Sequence, residues 1–262
     1  KAAVFGTAIL GSNPSTPAKN MSLINKFFSI SKNLEDKLSS FKSLKKTKAI
    51  LQLFSAIESY SENSEIRYVG GCVRKALNNE VLDDIDLAVN LKPTECIEAL
   101  KKNNIKFYET GIKHGTITAI IGNHKFEITS LRKDLNTDGR HAEVSFSKDW
   151  HEDASRRDFT INSIYADING NLFDPFDGKE DLENGKINFI GDPEKRIKED
   201  YLRILRYIRF FINYSKQPHD DKVQRLIKKN LTGISNISTE RMLDEFKKII
   251  NSPQFLKLFK DP

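Results

Sequence analysis

VGGCVRKALNNEVLDDIDLAV, residues 69–89, sets a glycine pair, an arginine and two aspartates spaced D-x-D inside one strand–helix–strand pattern. Residues 66–69 read as a strand. Gly70 and Gly71 then form a turn that lets backbone amides approach an anion closely. The helix opening there, running to about Leu77, adds unsatisfied N–H groups and a partial positive charge. Arg74, near that N-terminus, has the forked donors that suit a phosphate. Residues 85–89 read as a second strand, around which Asp84 and Asp86 flank Ile85 and share a face. Two carboxylates so held repel each other unless a cation sits between them. Their hard oxygens suit Mg²⁺, which commonly completes its octahedron with water and phosphate oxygens. Each half has a bland alternative, a common tight turn and a solvent-facing strand edge. In tandem they point to a site for a nucleoside triphosphate and a metal ion. Asp83 reads as a turn residue and not a ligand.

The totals narrow the class. The chain has 262 residues, long enough for one large domain or two smaller ones. No run of apolar residues is long enough to span a bilayer, so no membrane association is expected. Cys72 and Cys96 are too few for a disulfide framework or a thiolate zinc site, and read as small buried hydrophobes in a reducing, cytoplasmic setting. None of the five histidines has metal-ligand spacing, and His114 and His141 read as structural. The formal net charge is +6. Residues 186–262 hold 17 basic and 10 acidic side chains, so the excess lies in the C-terminal part. That asymmetry suits a basic module for a polyanion or a lysine-rich solvated helical surface.

Residues 1–45 read as a flexible N-terminal extension, with Met21 a candidate start. Residues 46–60 have helical apolar spacing at Ile50, Leu51, Phe54 and Ile57. Short strands follow, with a helix over 94–102 capped by Thr94 and a hairpin of 116–121 and 125–131 around Gly122 and Asn123. Residues 136–141 read as a loop, 143–146 as a strand and 159–166 as a helix, with a turn at Asn169 and Gly170. Helices over 199–213, 222–229 and 239–250 close the chain. The fold class is therefore α+β followed by an all-helical part, divided as residues 46–175 and 176–262.

In RRDFTINSIYAD, residues 156–167, Arg157 and Asp158 with Asn162 one turn on serve equally as a cap with an ion pair. In EDYLRILRYIRF, residues 199–210, Asp200, Arg203, Arg206 and Arg209 recur every three residues and share one helix face. Such a stripe is a solvated face, a phosphate-contacting one, or something more selective. Cytosine and adenine each present a ring-nitrogen acceptor beside an exocyclic amine donor, whereas uracil and guanine present the reverse. One arginine donor plus one carboxylate acceptor therefore accept C and A and reject U and G. Asp200 and Arg203 fit that role.

These segments, in this order, resemble the motifs of the class II tRNA nucleotidyltransferases and bacterial poly(A) polymerases, within the polymerase β-like nucleotidyltransferase superfamily. VGGCVR with DIDLA resembles the first motif, and HGTITAIIGNHKFEITSLR, residues 114–132, the paired strands of the catalytic domain. DGRHAEVSF, residues 138–146, resembles its flexible loop and following strand. RRDFTINSIYAD, EDYLRILRYIRF and STERMLDEFKKII, residues 238–250, resemble the later motifs. Lys75 stands where the family usually carries Asp. The resemblance implies a nucleotidyltransferase head with a mixed or antiparallel sheet, then a helical neck that binds RNA. It implies template-independent, Mg²⁺-dependent addition of C, C and A from CTP and ATP to the 3′ end of tRNA. Asp84 and Asp86 would hold two metal ions, with Glu127 a third catalytic carboxylate. Gly70, Gly71, Arg74 and Arg157 would hold the triphosphate, Asp158 would sit at the ribose, and Asn162 would brace the site. Asp200 and Arg203 would read the base with support from Arg206 and Arg209, while Asp138 and Arg140 in the loop would reorient the site between CTP and ATP. Poly(A) synthesis, A-only or CC-only addition, and a catalytically silent RNA-binding relative are the alternatives. Family members carry further helical body and tail domains, so a fragment of a longer protein is one reading. The oligomeric state is not legible.

Overall fold

The computed structural model describes residues 47–82, 84–137 and 142–259. The first element, α1 (Lys48–Glu58), buries Ile50, Phe54 and Ile57 as its helical periodicity predicts, but Leu53 takes the core position expected of Leu51, which is exposed. β1 (Ile66–Val69) enters the glycine turn and α2 (Gly71–Leu77), and β2 (Asp86–Val89) returns antiparallel to β1. Next is α3 (Pro93–Lys102), with Glu95 accepting the Lys92 N–H at 2.7 Å. The helix starts ahead of Thr94, because Pro93 has a preset φ and no N–H to satisfy in the first turn. β3 (Lys106–Gly111), β4 (Thr116–Ile121) and β5 (His124–Ser130) form a meander that turns at Gly122, φ +59°. β6 (Arg132–Thr137) and β7 (Ala142–Phe146) make a separate ribbon, followed by α4 (Trp150–Ser155). β8 (Tyr165–Ala166) and β9 (Leu172–Phe173) complete a seven-stranded sheet in the order β3-β4-β5-β2-β1-β8-β9. β2 and β5 are parallel and the other neighbours antiparallel, a mixed sheet. Beyond it come α5 (Gly178–Asn184), α6 (Pro193–Glu199), α7 (Leu202–Tyr214), α8 (Asp221–Asn230) and α9 (Thr239–Ile250). The fold is α+β followed by helices.

Strand alternation decides what each sheet face does. Leu87 and Val89 join the main core with α1, α2 and α3. Ala88 points the other way and packs with Val69, Leu131, Trp150, Ala154 and Tyr165. Asp86, two residues before Ala88, shares that second face, the one covered by α4.

Besides Leu51 and the start of α3, four expected features differ. Asn136 and Thr137, expected in a loop, belong to β6. β2 begins at Asp86, so Asp84 and Ile85 precede the strand. Residues 159–166 are not a helix: a 3-10 turn over Thr160–Asn162 leads straight into β8, where Tyr165 pairs with Val69. The Asp158 carboxylate captures both the Phe159 N–H and the Asn162 side chain at 2.9 Å, a local alternative to helical bonding. The helix expected over 199–213 is broken. Asp200 is extended, with φ −156° and ψ 105°, and its Oδ1 accepts the Leu202 N–H at 3.1 Å, so the aspartate ends α6 and starts α7.

Candidate nucleotide-binding site

A cleft of about 630 Å³ lies between the α4-covered sheet face, the glycine turn and α7. Its wall includes eight arginines and four aspartates, a strongly cationic lining. Gly70, Gly71, Arg74, Asp86, Arg157, Asp158, Asn162, Asp200, Arg203, Arg206 and Arg209 all line it, although they come from three separated parts of the sequence. Asp84 and Glu127 are exposed residues beside it. Asp138 and Arg140 lie outside the described residues.

The acidic corner is built by strand register. Asp86 pairs with Glu127 across the parallel β2–β5 ladder, which sets both side chains on the same face. Burial raises the Asp86 carboxyl above its usual range, Glu127 and Asp84 raise it further, and Arg157 and Arg74 oppose them. Among the described residues no three His, Cys, Asp or Glu side chains form a ready metal cluster. Mg²⁺ asks for less, commonly one or two carboxylates completed by water and phosphate. Asp86, its charge disfavoured by burial and by the carboxylates of Glu127 and Asp84, opens on an arginine-lined cleft and fits that ion.

The phosphate-side residues are held from behind. Gly70 has φ +67° and ψ −118°, a conformation that side chains avoid, and a Cβ there would stand 3.5 Å from Arg157 Nη1. Arg157 donates Nε to Tyr165 Oη at 3.0 Å and Nη2 to Asp153 Oδ2 at 3.0 Å. Burial would lower its guanidinium, but Asp153 outweighs that and keeps it firmly charged. Arg156 takes the other oxygen, donating Nε and Nη2 to Asp153 Oδ1 at 2.9 and 2.7 Å. Arg74 is buried, donates Nη1 to Asn162 Oδ1, and packs its Cζ 4.8 Å from the Phe210 ring centroid and 5.0 Å from that of Tyr214. These contacts are neutral, and the opposite charge acting with Arg74 is that of Asp86.

On the α7 side, each member of the charged stripe has an opposite. Arg206 bonds Asp158 Oδ2 at 2.6 Å through Nε, and burial would raise the Asp158 carboxyl were Arg206 not there to hold it low. With Phe159 N–H and Asn162 on Oδ1, the lone pairs of Asp158 are largely committed, so its carboxylate anchors Arg206 and is not free for a ribose hydroxyl. Arg203 gives Nη1 to Glu199 at 2.7 Å and to the Arg196 carbonyl at 2.6 Å. Asp200 accepts from Arg241 Nη2 at 2.7 Å, and Arg209 donates Nε to Glu245. Asp200 and Arg203 therefore meet at one cleft wall, but not as neighbours on one helix.

Sequence reasoning passed over Asp153, Glu199, Arg241 and Glu245, the residues that hold the cleft arginines and Asp200. Two had a signal: Asp153 precedes Arg156 and Arg157 by three and four residues, and Glu199 precedes Arg203 by four. Arg241 and Glu245 reach their partners through tertiary packing, which spacing does not show. Arg132 and Asp134 of β6 also line the cleft.

Residues 66–188 match the family described as the poly A polymerase head domain, and residues 220–261 that described as the probable RNA and SrmB-binding site of polymerase A. The Homo sapiens protein named CCA tRNA nucleotidyltransferase 1, mitochondrial, is 47% identical over 206 residues, 78% of this chain and 46% of that one. The crystal structure of the Bacillus stearothermophilus CCA-adding enzyme in complex with CTP superposes with a TM-score of 0.70 at 28% identity, covering 80% of this chain and 50% of that one. A tRNA nucleotidyltransferase complexed with a primer tRNA and an incoming ATP analog gives a TM-score of 0.62 at 26% identity, covering 76% and 56%. The chain spans about half the length of the relatives it matches.

Proposed function

The chain belongs to the family of class II tRNA nucleotidyltransferases and bacterial poly(A) polymerases, and from that premise we propose that it carries the catalytic part of a CCA-adding enzyme. The reaction is template-independent addition of C, C and A to the 3′ end of tRNA. The terminal 3′ oxygen forms a bond to the α-phosphorus of CTP or ATP, and the bond from that phosphorus to pyrophosphate breaks. One observation carries the reading: Asp86, Arg157 and the Asp200–Arg203 pair line a single cleft, the arrangement that a metal-binding acid, a phosphate-binding cation and a base-edge reader acting on one nucleotide would require.

Within that reading Asp84 and Asp86 hold Mg²⁺. When bound, it supplies charge neutralisation at the triphosphate and lowers the pKa of an attacking hydroxyl. Glu127 adds a third carboxylate beside them. Arg157, charged and fixed by Asp153 and Tyr165, takes the triphosphate together with the backbone of Gly70 and Gly71. Arg74 and Asn162 brace that corner against Phe210. Asp200 and Arg203 present one acceptor and one donor to C or A, while Arg206, pinned by Asp158, and Arg209 support them. The loop residues Asp138 and Arg140 are assigned the switch between CTP and ATP. We divide the chain into a catalytic head, residues 46–175, and a basic helical neck, residues 176–262, that meets the tRNA. No helix among the described residues is long and apolar enough to cross a membrane. Buried, free Cys72 and Cys96 suit a reducing compartment. The name of the human relative sets a mitochondrial setting beside the cytoplasmic one expected from the sequence.

The test offers tRNA transcripts lacking CCA, ending in CC, or complete, each NTP separately, and Mg²⁺. C is expected on the first, A on the second and nothing on the third, with all incorporation lost in Asp86→Ala while tRNA binding persists. Runs of A on every transcript would mark a poly(A) polymerase instead. Incorporation of U or G as efficiently as C or A would refute base reading by Asp200 and Arg203.

A further inference from the structure

We propose that α9 is a positioning element for nucleobase selection and that Arg241 sets the aim of Asp200. The proposal rests on the reading of Asp200 and Arg203 as the base-edge pair and adds what fixes that pair in place.

Asp200 has little of its own to hold it. It sits in the extended break between α6 and α7, outside both helices. Its carboxylate is oriented from two directions: Oδ1 accepts the Leu202 N–H at 3.1 Å and Oδ2 accepts Arg241 Nη2 at 2.7 Å. These bonds fill two of roughly four lone-pair positions, leaving acceptor capacity with a fixed direction. Four residues along α9, on the same face, Glu245 is only 2% exposed and takes Arg209 Nε. Arg209 in turn lies over Phe210, its Cζ 4.2 Å from the ring centroid. α9 packs along α7, so one helix grips the reading segment at both ends, with a cation on its aspartate and an anion on its last arginine.

The consequence is selective. Hydrogen bonds weaken steeply off axis, so discrimination between an amine and a carbonyl on a base edge depends on where the acceptor points. The triphosphate is held elsewhere, by Arg157 and the glycine turn. Arg241 is therefore a positioning residue acting through Asp200, and its loss changes which base is preferred more than whether a nucleotide binds.

The experiment measures binding of CTP, ATP, UTP and GTP to the full chain with Mg²⁺ by calorimetry, with inorganic tripolyphosphate as the base-free reference. No RNA is needed. The wild-type chain is expected to prefer CTP and ATP. In Arg241→Ala that preference should fall by about tenfold, by analogy with the low end of what partners orienting metal ligands contribute. Tripolyphosphate affinity should stay unchanged, and Arg241→Lys should recover part of the preference. The Arg241 side chain is 34% exposed, so truncation opens no buried cavity, and a thermal melt checks the fold. Arg241→Gln, which keeps most of the side chain's volume, repeats the test should the alanine variant melt early. A selective wild type with equally selective Arg241 variants overturns the proposal alone, as does an equal loss for all four nucleotides and tripolyphosphate. A wild type that binds the four alike overturns the base-reading premise beneath it.

Discussion

Asp153 shows how much of the site depends on a residue that touches no substrate in the proposed reaction. It is 1% exposed and accepts from Arg156, from Arg157, from Tyr165 Oη at 2.7 Å and from the Arg132 N–H at 3.3 Å. Burial alone would push its carboxyl upward, but Arg157 and Arg156 on either side hold it well below the usual range. Asp153→Asn keeps the shape and removes the charge, leaving two guanidiniums against an amide. At neutral pH the variant should lose about 3 kcal/mol or more of unfolding free energy, as for other broken buried pairs. The pH dependence follows from the direction of the shift. The folded carboxyl lies below its unfolded value of about 3.9, so the native state binds fewer protons. The stabilisation is complete above that value and is lost as pH falls through the folded one. Urea titrations should therefore show the gap between wild type and Asp153→Asn narrowing as the pH is lowered below about 4, with the other carboxylates titrating in both proteins alike. A gap of constant size across that range would show that the carboxylate charge is not what Asp153 contributes.

The glycine turn separates two roles within one element. Gly70 needs its bare backbone for the fold itself, since φ +67° with ψ −118° costs a side chain about 1–3 kcal/mol. Gly71 is outside the left-handed region, and a Cβ there would meet Arg74 Nη2 at 3.9 Å, an ordinary contact. Gly70→Ala should lower the thermal midpoint. Gly71→Ala should leave it in place and weaken CTP binding severalfold, because the added methyl would stand in the path proposed for the phosphate. Wild-type CTP affinity in Gly71→Ala would remove the backbone of this turn from the site. The same comparison explains which elements were legible in the sequence. α1, β1, the β4–β5 hairpin, α8 and α9 carry their periodicity in their own residues. β3 is an edge strand with mostly exposed side chains, KFYETG, so no alternation marks it. Residues 159–166 and 199–213 depart from the expected helices because an aspartate at the start of each, Asp158 just before the first and Asp200 within the second, diverts backbone donors to its side chain, which a count of apolar spacing does not register. The cleft residues were legible as types and order. The bracing residues were not, since their partners lie in other elements.

Across the molecule, the sheet part and the helical part share one core. Phe159 meets Phe189 with ring centroids 4.7 Å apart and Phe210 at 5.4 Å, and Phe189 stacks on Tyr207 at 5.8 Å. An isolated β-bridge also joins Phe159 to Phe189. Ile204, Phe210 and Phe211 of α7 belong to the same cluster as Leu87 and Val89 of β2. The cleft sits along this seam, so its α7 wall and its β2 wall keep their spacing through packed aromatics and not through a hinge. Two parts joined in this way should unfold together. The single tryptophan, Trp150, lies in the sheet part, its ring 5.3 Å from that of Tyr165, and reports on that part alone. Most of the far-ultraviolet dichroism comes from helices, five of which follow β9. Tryptophan fluorescence and helical dichroism followed through one urea titration should therefore give coincident transitions. Saturating CTP with Mg²⁺ should move both midpoints upward by the same amount, since a ligand bound at the seam stabilises only the joined state. Fluorescence and dichroism curves that separate, or a CTP-induced shift in one and not the other, would mean that the two walls fold independently and that the shared core does not set the geometry of the site.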